Sequence, residues 1–325
     1  MSQTQPAFGG MLRQLVDLGL FELDTEPLDA LIERRLKQFW EYTTCPRCGH
    51  PSIHTWDSSD RVICRDCNFK PVYTYGTPFH EKHLTTGEVL LAYLLYADTL
   101  LSISQIAVVL DRAYKTVYYA IREVEAAVTR GFPLVWEQFQ HSISGPTQID
   151  ESSTVCSGYK GQDPPRTSRY RGGSSRSGRS RWKGRHGDQI TLVAACRDVL
   201  RVIRGHLGIS YQGDLEPVLQ EAEDLSQRLG EVWTDGLQAY REMEYDHRTV
   251  IHDERYVSAD GVHINQVECL FSLVKPWLRK FRGLSKQGLE QAAHTFGIVR
   301  SLNLVGASLE IVVDCLATGS LHSST

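Results

Sequence analysis

No unbroken apolar run in this chain exceeds nine residues, Val89–Ala97, and that one stops at Asp98. A membrane span needs roughly 20 such residues, so a transmembrane helix is not expected. The opening MSQTQPAFGG lacks the basic-then-apolar order of a signal peptide, and no internal repeat is evident. A strong charge of either sign is missing too: the formal net charge is −4, which on its own argues against a general polyanion binder. Apolar residues at 41% and charged residues at 23% of the 325 lie near soluble globular averages. That balance excludes a mainly disordered chain, a fibrous repeat and a disulfide-dense miniature. The expectation is a soluble, cytoplasmic protein of two domains, with room for a small appended module and with no membrane partner.

The modest net charge hides segregation. Ser157–Gln189 holds nine Lys/Arg against two acids, and Cys269–Arg300 holds six against Glu290 alone. Asp214–Glu254 carries twelve acids against three arginines. Basic patches beside an acidic block fit a nucleic-acid partner together with a cation site.

Four of the eight cysteines, Cys45, Cys48, Cys64 and Cys67, read CPRC, fifteen residues, CRDC. That spacing lets two knuckles offer four thiolates to one structural zinc in a ribbon. Gly49 follows the first pair, where a tight turn needs a residue without a side chain. His50 and His54 read as surface histidines. Cys156, Cys196, Cys269 and Cys315 lie far apart in apolar stretches and read as buried small hydrophobes.

Residues 1–44 contain two amphipathic stretches, Met11–Leu18 and Leu28–Tyr42, and the ribbon occupies 45–76. A helical region at 84–130 follows, with helix-turn-helix spacing: Ser104–Leu110, a turn at Asp111–Ala113, then Tyr114–Val128. The usual turn glycine is missing. In such an arrangement Lys115, Thr116, Tyr118, Tyr119 and Arg122 face the DNA groove and backbone. Gly131–Gly145 reads as a linker. Strands are expected at Thr147–Val155, Ile190–Arg197, Val199–Leu207, Glu231–Thr234 and Arg248–Ile251. Helices are expected at Leu215–Leu229, at Leu237–Met243 and from His263. Together they define an α/β domain with a mixed sheet, spanning 145–318. The insertion 157–189, rich in Gly, Ser and Arg, reads as a mobile basic arm, with Arg179, Arg181, Lys183 and Arg185 as phosphate contacts.

Three acids stand out on these elements: Asp150 within the first strand of the domain, Asp235 after the fourth, and Glu268 on the late helix. Carboxylates held by rigid elements suit Mg²⁺ or Mn²⁺, which prefer oxygen ligands, and two such ions support phosphoryl transfer. At about 100° per residue, Asn265, Glu268, Ser272 and Lys275 share an arc of roughly 80°. Arg279 and Arg282 lie on the same side, where they can meet phosphate. Val267, Leu270, Phe271, Val274, Trp277, Leu278 and Phe281 form the opposite, core-facing stripe. Pro276 is expected to kink the helix near Ser272.

The segments TQIDES, TDG with Tyr240 after it, YDHRTVIH and VHINQVECLFSLVKPWLRKFRGLS resemble the motifs of prokaryotic DDE insertion-sequence transposases. The match is to insertion-sequence family 1595, and it runs from about Cys45 to Gly283. The resemblance implies a zinc ribbon before a catalytic domain of RNase H-like fold. It makes Asp150 and Asp235 the first two catalytic acids, with Glu151 outside them. The third position stays open: the family often uses the residue matching Asn265, whereas the Glu-to-Lys spacing favours Glu268 with Lys275. Glu268 is taken as the ligand, with Asn265 adjoining and Lys275 holding a phosphate. The resemblance further implies two Mg²⁺ ions, binding of terminal inverted repeats and target duplex, 3′-hydroxyl strand transfer, and a homodimer or higher oligomer on DNA near the nucleoid. A DNA-binding regulator with a non-catalytic scaffold is the alternative, and the intact acids count against it; a structure-specific nuclease would keep them. After Gly283 the chain departs from the family's acidic-aromatic ending, with Asn303 near its place.

Overall fold

A computed structural model describes residues 24–51, 53–56, 58–155, 189–206, 215–235, 245–250, 257–281, 284 and 286–321. They fall into two compact units, one of residues up to Ser142 together with those from Ile298 on, the other Ile143–Gly297. The expectations for Met11–Leu18, Cys156, the basic insertion up to residue 188, Leu237–Met243, His252 and Arg282 lie outside the described residues.

In the first unit, α1 (Glu26–Glu41) begins with Pro27 in its first turn and buries Leu28, Ile32, Leu36 and Trp40. The Trp40 indole donates to the Tyr73 carbonyl at 2.7 Å. That bond fixes the helix against the segment that follows the hairpin of β1 (Ile53–His54) and β2 (Ile63–Cys64). The helices α2 (Thr86–Asp98) and α3 (Ile103–Val109) each start with a reciprocal capping box, Thr85 with Glu88 and Ser102 with Gln105. Between α3 and α4 (Tyr114–Trp136), Asp111 takes a positive φ of 51°. An aspartate tolerates that conformation, so the turn closes without its usual glycine.

The expected linker at Gly131–Gly145 is instead structured. Helix α4 runs through Gly131 and Pro133 to Trp136, and a 3-10 turn covers Glu137–Ser142. Gly131 works here as a contact rather than a breaker. A Cβ at Gly131 would collide with the carbonyl oxygen of Cys315, and one at Gly319 with that of Ala127. The two glycines let α4 and α8 (Leu309–Leu321) meet backbone to backbone, and the Arg130 side chain donates to the Gly319 carbonyl at 2.6 Å. The end of the chain thus packs with the N-terminal elements, so the second unit closes at Gly297 rather than at 318. Asn303 donates to buried Asp98 at 2.9 Å within the first unit.

The second unit holds a five-stranded mixed sheet of order β5-β4-β3-β6-β7. Its members are β3 (Thr147–Val155), β4 (Gln189–Arg197), β5 (Leu200–His206), β6 (Val232–Thr234) and β7 (His247–Thr249). The meander β3–β4–β5 is antiparallel, whereas β6 and β7 run parallel to β3. Strand β4, between β3 and β5, is apolar on both faces from Leu192 to Cys196, as an internal strand of a covered sheet is, and Leu192, Ala194 and Cys196, with Leu200 and Ile203 of the edge strand β5, are fully buried. Helix α5 (Glu216–Ser226) crosses from β5 to β6. The Glu221 carboxylate on α5 receives Arg204 of β5 at 2.6 Å and His294 of α7 (Lys286–Leu304) at 2.9 Å. Burial pushes the Glu221 carboxyl up, but those two partners win and hold it below the ordinary carboxylate range. Helix α6 (Asn265–Arg279) packs on β3 and β4. Its buried positions are Val267, Leu270, Phe271, Val274, Trp277 and Leu278, and Phe281 beyond it is half-buried. The helix continues through Pro276 to Arg279.

Candidate active site and metal centre

Asp150 and Asp235 are neighbours by strand register. In the parallel pair, Thr147 lies beside Val232 and Gln148 beside Trp233. The pairing ends there; continued for two more residues it brings Asp235, just past the end of β6, beside Asp150, and the charge of Asp235 reaches the Asp150 carboxyl. Alternation along a strand puts Gln148 and Asp150 on one face, with Trp233 and Asp235. That is the face on which α6 starts, because the Gln148 side chain accepts the backbone N–H of Gln266 at 2.8 Å. Glu268 lies in the first turn of this helix and is exposed, as are Asn265, Ser272, Lys275 and Arg279. The polar face expected from helical spacing is therefore the solvent face.

Electrostatics ties the three acids together. The Asp150 carboxyl is pushed up to about 7, first by the loss of surrounding water, next by the Glu151 carboxylate, and further by Asp235 and Glu268. The Glu151 N–H, donating to Asp150 Oδ1 at 2.8 Å, opposes the rise. A half-buried carboxylate made costly by its acidic neighbours is a place where a divalent cation gains most. The acids share a field without closing on a point. Among the described residues, the ligand atoms that converge within 4.8 Å of one another are those of the four cysteines. Lys275 extends along α6, its ammonium 5.6 Å from the Phe271 ring centroid. Beside the acids, Thr234 and His247 share a 2.7 Å hydrogen bond, and burial pulls the His247 imidazole down.

The cysteine set fits a tetrahedral metal. Cys45 and Cys67 sulfurs are 3.7 Å apart, and Cys48 and Cys64 sulfurs 3.6 Å. Zn–S bonds of about 2.3 Å give tetrahedral edges of roughly 3.8 Å. The two knuckles are built alike. Gly49 and Asn68 follow the second cysteine of each pair, both at positive φ, and each donates its N–H to the first cysteine's carbonyl, at 2.8 and 3.0 Å. The Cys64 thiol is drawn down to about 7, first by the backbone N–H of Cys67 and against the cost of burial. Cys45 and Cys64 are buried with Trp40, Ile53 and Val62.

Of the residues expected at a DNA groove, Lys115 and Tyr119 are exposed, and Thr116 and Tyr118 half-buried. Arg122 is a correction. It turns onto the fully buried Glu125, to which it is ion-paired, and lies over the rings of Tyr96 and Tyr118 at 5.8 and 5.4 Å. A buried carboxylate without that partner is costly, so Arg122 serves the packing of α4. Cys269 is a second correction: it is exposed, because it follows Glu268 on the solvent face of α6, while Cys196 and Cys315 are buried as expected. Sequence reasoning missed Gln148 and Trp233 and gave His263 no task. Their signal was available, since Gln148, Trp233 and His263 each stand two residues ahead of Asp150, Asp235 and Asn265.

The structure thus holds a mixed sheet with one acid on β3, a second just past the end of the adjacent parallel β6, and a third in the first turn of a packed helix. The comparisons with known proteins fall in the same place. The family profile described as the ISXO2-like transposase domain matches residues 168–291, a stretch that includes Asp235, Asn265, Glu268 and Lys275. The chain is 29% identical over 266 residues to an uncharacterized protein in transposable element ISH50 of Halobacterium salinarum (strain ATCC 700922 / JCM 11081 / NRC-1). That alignment covers 79% of this chain and 85% of the relative. The chain is thus similar to insertion-sequence family 1595 transposases, as its motifs imply. No solved structure matches it.

Proposed function

We propose that the chain is a DDE-type transposase of an insertion sequence, which cuts DNA at its element's ends and joins the freed 3′-hydroxyl to target DNA. The observation that supports this reading is the parallel pairing of β3 with β6, which leads toward Asp150 and Asp235, together with the charge that Asp235 and Glu268 exert on the Asp150 carboxyl. The strand order, with three antiparallel strands followed by two parallel ones, supports an RNase H-like catalytic domain.

Asp150, Asp235 and Glu268 would hold Mg²⁺ or Mn²⁺, which when bound supplies an activated water or hydroxyl and stabilises the leaving oxygen. The protein's own part is positioning and charge. Asp150 gives up its proton near neutral pH, and Glu268 and Asn265 stand at the start of an exposed helix face. Lys275 and Arg279 follow on that face and meet the phosphates flanking the reacting bond. In the first unit, Cys45, Cys48, Cys64 and Cys67 would hold one structural zinc. Helices α3 and α4 act as a helix-turn-helix presenting Lys115, Thr116, Tyr118 and Tyr119 to the element ends. Arg179, Arg181, Lys183, Arg185 and Arg282 add phosphate contacts. Pairing two ends calls for a dimer or higher oligomer on DNA.

The test is nicking of a duplex carrying the element's own terminal repeats, with binding measured in parallel. Wild type should nick in Mg²⁺, and Asp150→Asn should bind the ends nearly as well while losing cleavage by about 1,000-fold, the scale of removing a charge-stabilising group from an active site. An Asp150→Asn protein that still nicks at the wild-type rate would remove the metal site from this account.

A further inference from the structure

Gln148 and Trp233 are direct register partners on adjacent parallel strands, each two residues ahead of a catalytic acid. Both reach His263. Gln148 Nε2 lies 3.4 Å from His263 Nδ1, and the Trp233 and His263 rings meet edge to face with centroids 5.3 Å apart. His263 lies two residues before α6 begins. The residue at the helix start, Ile264, offers no side-chain cap, so the first turn depends on a donor or acceptor from elsewhere. Gln148, fully buried, supplies it by accepting the Gln266 N–H at 2.8 Å. Trp233 is itself fixed, its indole donating to Glu231 at 2.6 Å while Glu231 pairs with Arg248 of β7 at 2.6 Å.

We infer that Gln148, Trp233 and His263 form a positioning tier that ties the start of α6 to both acid-bearing strands and so sets where Glu268 stands relative to Asp150 and Asp235. The inference rests on the proposed metal-binding role of those acids. None of the three tier residues ligates the ion. They act through the helix start, as the outer groups around metal ligands do, whose removal costs about 10- to 100-fold in metal affinity.

The experiment is Mn²⁺ binding to the zinc-loaded full chain, read as free Mn²⁺ by electron paramagnetic resonance, with thermal unfolding recorded for every variant. Gln148→Met keeps the volume and removes both hydrogen bonds. His263→Leu removes the group that both strands contact, and because His263 is only half-buried this variant carries the test if the first does not fold. Ile149→Val is the control, a buried neighbour on the opposite face of β3. Saturable binding in wild type that Asp150→Asn abolishes, about 10-fold weaker binding in Gln148→Met and His263→Leu, and an unchanged Kd in Ile149→Val would support the tier. Wild-type affinity in both tier variants would overturn it and leave the proposed function standing. Equal weakening in Ile149→Val would also overturn it, by showing that any loosening of β3 suffices. Absence of saturable binding in wild type would overturn this inference and the metal-site reading together.

Discussion

Asp150 shows how one residue can work against the fold that holds it. Its carboxyl titrates near 7 in the folded protein, against about 3.9 unfolded, so folding favours the protonated form. Its contribution to stability is complete below about pH 4 and is lost as pH rises through 7. That difference corresponds to at most about 4 kcal/mol. Asp150→Asn should therefore raise the Tm of the protein without added Mg²⁺ at pH 8 and have little effect at pH 4.5, and saturating Mg²⁺ should narrow the gap. Thermal unfolding of both proteins across this range checks the sign; a variant less stable than wild type at pH 8 would mean that Asp150 is satisfied without a cation. This residue was legible in the sequence as an acid within an expected strand. Its partners Gln148 and Trp233 were not, because a glutamine and a tryptophan in short strands read as ordinary sheet residues until the register pairs them. Arg122 was misread for the same reason: nothing in the sequence told that Glu125, one turn away on the same helix, would be buried.

At the scale of elements, periodicity served best where one face is buried and the other wet. Helix α6 kept both its apolar stripe and its polar face, and the cysteine pairs gave a ribbon whose thiols converge. Cobalt substitution should give a tetrahedral thiolate spectrum that Cys64→Ser weakens. Stripping the metal should unfold the ribbon, since a small metal-bound unit takes its folding energy from the ion; a protein purified without stoichiometric metal and unchanged by Cys64→Ser would contradict the site. Glycine was the poorer guide. Gly131 looked like the start of a linker, yet it lies inside α4, where its missing side chain admits the backbone of α8. Only the partner helix, nearly 190 residues further along the chain, explains it. Gly131→Ala forces these backbones apart and should cost about 2–3 kcal/mol by denaturant unfolding. A loss under about 0.5 kcal/mol, ordinary for an exposed site, would mean that the helices have room to spare.

At the scale of the whole molecule, the order of the strands in the second unit followed from hydrophobic rhythm and turn residues, whereas the return of the C-terminal helix to the N-terminal elements did not. Long-range pairing of helices depends on shape, and α8 alone reads as a generic apolar helix. The charge pattern belongs to this scale as well. An acidic block carries Asp235, and basic residues follow on α6, which is the charge pattern the proposed function calls for. End binding should accordingly weaken steeply with salt, and Lys115→Ala should flatten the slope by about one unit; an unchanged slope would take Lys115 off the DNA. The most direct test of the central claim is strand transfer of DNA bearing the element's own ends in Mg²⁺, comparing wild type with Asp235→Asn. Joined products from wild type alone are the predicted result. Specific end binding by both proteins with products from neither, or equal products from both, would contradict the account.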